Sequence, residues 1–138
     1  MTTPRHLARE VALQALYVWE LGGVAPDEAL EHVVQEHHPD LPEPVRVFAE
    51  ALLRGTVQTH QELDQIIERH TNNWRIERLA VMDRLILRQA TWELRYQPET
   101  PPAVIVNEAL ELARTFSADD SIKFVNGVLD GIRRALEA

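Results

Sequence analysis

The segment SADDSIKFVNGVLDGIRRAL, residues 117–136, is compatible with few folds. Ile122, Val125, Leu129, Ile132 and Leu136 recur at alternating steps of three and four, and Phe124, Val128 and Ala135 widen the stripe they make on a helix. Gly127 and Gly131 stand one turn apart beside that stripe, each costing about 1 kcal/mol relative to Ala in a helix interior. Such a cost implies a gain from the missing side chains, and close approach of a neighbouring helix backbone is the expected one. The polar strip is narrow: Lys123, Asn126, Asp130, Arg133 and Arg134. A helix buried so far round is expected at the centre of a bundle, with the other helices packed about it.

The same helical period runs through the rest of the chain. Thr3 as N-cap, Pro4 in the first turn and the Gly22, Gly23 pair at the end predict a first helix over residues 5–21. Its inner face is Leu7, Ala8, Val11, Ala12, Ala15, Val18 and Trp19. The opposite side carries His6, Arg9, Leu13, Gln14 and Tyr17 with Arg5 at its margin, a mixture of cations and apolar groups that marks a contact surface. Pro26 and Asp27 open a second helix to about residue 36, and the proline-rich HHPDLPEP forms a loop. A third helix covers residues 44–58 through Val45, Phe48, Ala49, Leu52 and Leu53. Thr59 with Glu62 has capping-box spacing and starts a fourth helix to His70, which Asn72 and Asn73 break.

Residues 79–96 form a largely buried helix whose polar strip is Arg84, Arg88, Thr91 and Arg95. Asp83 falls inside its apolar arc. A carboxylate there is costly unless paired, so it is either half of a buried ion pair or a contact kept for a partner. Residues 103–116 follow as another amphipathic helix, and Ser117 with Asp120 recaps the chain into the last one. No segment alternates with period two long enough for a strand, and there is neither a Gly-rich phosphate loop nor an internal repeat. These features predict an all-α fold of six or seven helices, a single domain over residues 1–138.

With 138 residues, 45% of them hydrophobic, the chain can bury a core without covalent staples. It has no cysteine, hence no disulfide or thiolate chemistry, and no apolar run of about 18 residues or signal sequence, so a cytoplasmic address away from membranes is expected. The formal charge of −8 argues against broad nonspecific binding to nucleic acid; any such binding must be local or shared. Six histidines lack metal-ligand spacing, with His32 and His37 on different sides of a helix and His38 before a proline loop, so solvated histidines are expected and no metal or other cofactor. The carboxylates sit mostly on solvated helix faces, and no nucleophile turn is present. Catalysis is not expected.

Recognition remains. Arg5 and Arg9 lie one turn apart beside His6 and Tyr17, while Lys123, Phe124 and Asn126 cluster early in the last helix. Cations for phosphate, rings for stacking and amides for base edges are what single-stranded RNA requires. Surface charge, a helix cap and a core phenylalanine are the alternative reading of the same residues.

The stretches RHLAREVALQALYVWEL, NWRIERLAVMDRLILRQATWEL and above all VIVNEALELARTFSADDSIKFVNGVLD resemble the NusB family of bacterial transcription antitermination factors. The resemblance runs from the first helix to the end of the chain. It implies two small packed helical bundles, no enzymatic activity, and binding to the boxA element of nascent ribosomal RNA leader transcripts with NusE, a small-subunit ribosomal protein, in a complex with RNA polymerase and other Nus factors. It further implies RNA contacts at Arg5, Arg9, Gln14, Tyr17, Asp120, Lys123, Phe124 and Asn126, while Asp83 stays a candidate partner contact on the ground of its place in the apolar arc. His6 and Leu7 interrupt the denser arginine cluster found in many members, which argues for weak RNA binding by the protein alone. NusB-like domains also precede some ribosomal RNA methyltransferases, but here the chain stops at Ala138, favouring the free factor. A helical scaffold that binds only protein is the rival from another class, and a homodimer covering the RNA surface is compatible with the resemblance.

Overall fold

The protein is described by a computed structural model over residues 3–72 and 74–138, and among these residues it contains seven α-helices, one 3-10 turn and no strand. Asn73, expected to help end the fourth helix, lies outside the described residues. The chain divides into two compact units, Met1–Gln58 and Thr59–Ala138, each taken here by itself.

The first unit comprises α1 (Pro4–Gly22), α2 (Pro26–His37) and α3 (Glu43–Gln58). The ends of α1 follow the sequence closely. The Thr3 hydroxyl accepts from the His6 N–H at 3.1 Å, Pro4 occupies the first turn, and Gly23 closes the helix at φ 68°, donating to the Trp19 carbonyl. Packing of α1 against both α2 and α3 buries Ala8, Val11, Ala12, Ala15 and Leu16 completely. It also buries Leu13 and leaves Arg9 only 3% exposed, although both were expected on the outer side. Two covering helices hide a wider arc than one, whereas Leu7, Val18 and Trp19 at the expected inner margin are half-buried. Ion pairs Arg46–Glu31 and Arg54–Asp27, 2.7 and 2.8 Å, tie α3 to α2.

The second unit comprises α4 (His60–Glu68), a 3-10 turn at Ile76–Arg78, α5 (Val81–Tyr96), α6 (Pro102–Phe116) and α7 (Asp119–Glu137). Its central helix is α5, which packs on α4, α6 and α7 and is buried without interruption from Leu85 to Glu93. This corrects the expectation that the last helix organises the whole chain: α7 packs mainly on α5 and α6, through Ser121, Val125, Val128, Leu129 and Ile132, while Ala135 and Leu136 are exposed. The helical period identifies residues that share a face but not how far along it the neighbours extend. The glycines are also corrected. A Cβ on Gly131 would come within 2.8 Å of His70 Nδ1, so a side chain and not a helix backbone fills its space; on Gly127 it would meet nothing within 4 Å.

Neither expected capping box forms. Thr59 makes no side-chain cap bond, and Ala118, not Ser117, occupies the N-cap of α7. The Ser117 hydroxyl instead donates to Asp83 Oδ1 at 3.0 Å, and Ser121 donates to Oδ2 at 2.9 Å. Asp83 is 7% exposed, and among the described residues no cation lies within ion-pair distance of it, so the anticipated buried ion pair is absent at this position. The carboxylate is tolerated because both oxygens are bonded and because it lies in the first turn of α5 beside the first turn of α7, where helix dipoles favour negative charge.

A buried ion pair does exist five residues later. Arg88 Nε and Nη2 donate to the two Asp64 oxygens at 2.7 and 2.9 Å, a two-pronged pair with Arg88 only 5% exposed. Arg88 and Thr91 were expected on an outer polar strip, but α4 lies against α5 there; of that strip only Arg95 is exposed. Asp64→Asn should therefore destabilise by about 3 kcal/mol, because it leaves a buried guanidinium without its counter-charge. Asp83→Asn should cost only about 1 kcal/mol, since a serine hydroxyl can rotate to accept from the amide. Urea melts of the two variants decide the point, and the reverse order would contradict this reading of both sites.

Candidate nucleic-acid interface

The expected RNA contacts fall in both units. In the first, Arg5, Arg9, Gln14 and Tyr17 project from α1. Arg5 is exposed, and its guanidinium carbon stands 3.8 Å from the centroid of the Phe48 ring on α3; that of Arg9 stands 5.6 Å from the same centroid. Both distances lie within cation–π range. Phe48 was assigned simply to the inner face of its helix, and the structure makes it a half-buried platform beneath two arginines. The only sequence signal for this was the pair of arginines one turn apart, which gives no indication of the ring they meet. Arg5 thus presents a cation held in place, whereas Arg9 is largely enclosed.

Gln14 is half-buried and its Oε1 lies 2.8 Å from His38 Nε2, leaving the amide NH2 group for other contacts. His38 is thus not the solvated histidine expected from its loop position. Burial, aided by the neighbouring His37, pushes its pKa below the usual 6.5, against a weaker opposite pull from Glu10. Tyr17 is 43% exposed.

In the second unit, Asp120, Lys123, Phe124 and Asn126 occupy the first two turns of α7. Asp120, Lys123 and Asn126 are exposed, and Lys123 has no carboxylate partner among the described residues. Phe124 is half-buried, between the core residue and the surface ring that the sequence left open. Gly127 is exposed beside them and open above, so the backbone there is accessible to a ligand. Ser121 on the opposite side holds Asp83, which fixes the rotation of this turn. The face thus offers one unpaired cation, one partly exposed ring, one amide and bare backbone. Among the described residues no cluster of three or more histidine or acidic side chains could hold a metal, and no helix is long and apolar enough to cross a membrane.

The sequence pattern of the NusB family matches residues 6–134. The chain belongs to the NusB family. Transcription antitermination protein NusB of Koribacter versatilis is 42% identical over 137 residues, spanning 99% of this chain and 93% of its own. The Bacillus subtilis protein of the same name is 41% identical over 133 residues, spanning 96% and 97%. A crystal structure of antitermination factors NusB and NusE in complex with double-stranded RNA contains a chain that matches with a TM-score of 0.89 at 32% identity, over 98% of this chain and 99% of that one. The all-helical fold is thus that of NusB proteins, a family of antitermination factors and not of enzymes.

The histidine on the α1 face gives a pH dependence within this NusB fold. A folded-state pKa below the unfolded value means that the unfolded chain takes up the proton first as pH falls. His38 should therefore lower stability on acidification from about pH 7 to about pH 5, and His38→Asn should flatten that part of the profile. Urea midpoints for both proteins at the two pH values test this; parallel profiles would show that His38 carries none of the dependence.

Proposed function

We propose that this NusB-family protein binds boxA-containing single-stranded RNA of nascent ribosomal RNA leader transcripts together with NusE, and joins RNA polymerase and other Nus factors in a cytoplasmic antitermination complex. The observation that carries the proposal is the face of α7, where Lys123, Phe124 and Asn126 are presented beside open backbone at Gly127. A cation, a ring and an amide on adjacent turns suit an unpaired nucleotide, whose base can leave its stack and lie on an aromatic side chain. In the α1 face, Arg5 and Tyr17 are the exposed members, with Arg9 and Gln14 held behind them. The NusB neighbour of known structure was crystallised with NusE and double-stranded RNA, which supports NusE and RNA as partners for this chain, while the single-stranded form rests on the α7 face.

Asp83, beneath its two serines, would serve the partner by holding the start of α7 in place rather than by direct touch, since only 7% of it is exposed. A second copy covering the same rings would compete with RNA, so a homodimer would be the RNA-free form. The net charge of −8 beside few free cations favours weak binding alone and stronger binding with NusE.

Two to three phosphate contacts should give a log–log salt slope of roughly −2, at about −0.7 per neutralised phosphate on a single strand. Phe124→Ala should lower boxA affinity by about 1–3 kcal/mol. Because the ring is half-buried, the same change should destabilise the fold by about 1–2 kcal/mol, less than loss of a full core phenylalanine. RNA titrations with and without NusE, and a urea melt, check all of this. A folded variant with undiminished affinity removes Phe124 from the site, and capture of NusE without RNA affinity at any salt would instead favour the protein-only scaffold.

A further inference from the structure

Most cations of this acidic chain are engaged internally. Arg46, Arg54, Arg88, Arg95, Arg114, Arg133 and Arg134 are ion-paired with carboxylates, and Arg9 faces Phe48. In the connection between α4 and α5, by contrast, Arg75 and Arg78 are both exposed and neither has a carboxylate partner among the described residues. Beside them is Trp74, 58% exposed, the most exposed large hydrophobic side chain among the described residues. Asn72, Trp74, Arg75 and Arg78 line a shallow cleft of about 320 Å³.

The loop that carries this indole is anchored on both sides. Thr71 is 2% exposed, and its hydroxyl lies 2.7 Å from the Trp74 carbonyl oxygen. Ile76 is 8% exposed, and its N–H donates to Glu68 Oε2 at 2.7 Å, so a carboxylate from the end of α4 caps the 3-10 turn. The indole is thus held between two buried anchors with more than half of its surface open to a ligand.

We propose that this connection is a second RNA contact, in which the Trp74 indole stacks on an unpaired base and Arg75 and Arg78 bind the flanking phosphates. The inference rests on the RNA-binding reading of α7 and extends its track. Arg78 stands five residues before Asp83, whose carboxylate holds Ser121, two residues before Lys123. At the reach of a polypeptide chain, the two places are no more than about 35 Å apart, which an extended single strand of about six nucleotides or more can span. One strand can engage both. A protein partner fits less well, because among the described residues the side chains that line the cleft beside the indole are Asn72, Arg75 and Arg78, not the apolar neighbours that a protein anchor needs. Base stacking needs only the ring face and nearby cations.

The test uses the full chain with NusE and two RNAs, boxA alone and boxA with a single-stranded extension of about ten nucleotides on each side. Trp74→Ala should stay folded with a small drop in its urea midpoint, leave the short RNA unaffected and weaken the long one by about 5- to 100-fold. A double variant, Arg75→Ala with Arg78→Ala, should make the salt slope on the long RNA shallower by about 1.4. Equal affinity of Trp74→Ala for the long RNA, with an unchanged slope in the double variant, overturns the proposal. So does weakened capture of NusE with RNA affinity intact, which would make the loop a protein surface. Lys123→Ala separates the two readings. It should weaken both RNAs; if it weakens neither while Trp74→Ala weakens the long one, the α7 site fails and the loop contact stands.

Discussion

A carboxylate in the apolar arc of α5 is the constraint on which the second unit turns. Removing an ion from water costs several kcal/mol even after relaxation, so Asp83 can remain buried only where donors converge on both of its oxygens. Those donors come from Ser117, in the corner between α6 and α7, and from Ser121, in the first turn of α7. Satisfying one group therefore sets three elements against one another. With Ser121, Val125, Val128, Leu129 and Ile132 turned inward, Lys123, Asn126 and Gly127 are turned outward. The outward face of α7 is thus a consequence of how a buried charge is accommodated one helix away.

A chain with 22 acidic and 14 basic residues carries the wrong net sign for a polyanion, yet net charge governs only the far field. At physiological salt, interactions between exposed charges fade over a Debye length of about 8 Å, so the local arrangement decides. Here the arrangement is uneven. Carboxylates lie along helix flanks against arginines such as Arg46, Arg54, Arg114 and Arg134, while Arg5, Arg69, Arg75, Arg78 and Lys123 are left without a carboxylate partner among the described residues. Four of these five, Arg5, Arg75, Arg78 and Lys123, lie near one of the rings Phe48, Trp74 or Phe124 in sequence or space. Free cations beside rings form small sites able to take a phosphate and its base, within a surface that repels nucleic acid elsewhere.

How much of this was legible depended on whether the deciding neighbour was close in sequence. The ends of α1 could be read because Thr3, Pro4 and Gly23 act on their own backbone within a few residues. Helix number and the interiors of most helices followed from the apolar period for the same reason. Ser117 was misread as a cap because its competing acceptor, Asp83, is 34 residues away in the chain. Arg88 and Thr91 were placed outside because a helical wheel shows the polar strip of α5 without showing α4 lying across it. The α1 face was legible in composition but not in depth, since whether Arg9 or Gln14 reaches solvent is settled by Phe48 and His38 on other elements. The exposed Trp74 gave no periodic signal, because it belongs to no helix.

The half-buried rings connect stability with recognition. A phenylalanine free in water must lose side-chain entropy when a base stacks on it, whereas a ring gripped along one edge by the core has already lost that freedom on folding. Phe124 has this geometry, next to the fully buried Val125 and the nearly buried Val128, and Phe48 does the same for the guanidinium of Arg5. The packing that limits how tightly the core can close around such a ring also presents its other face preorganised for a ligand. The same partial burial explains why neither a pure core role nor a pure surface role could be read from the position of Phe124 on the helical wheel: the ring is half-buried and leaves the rest of its surface open.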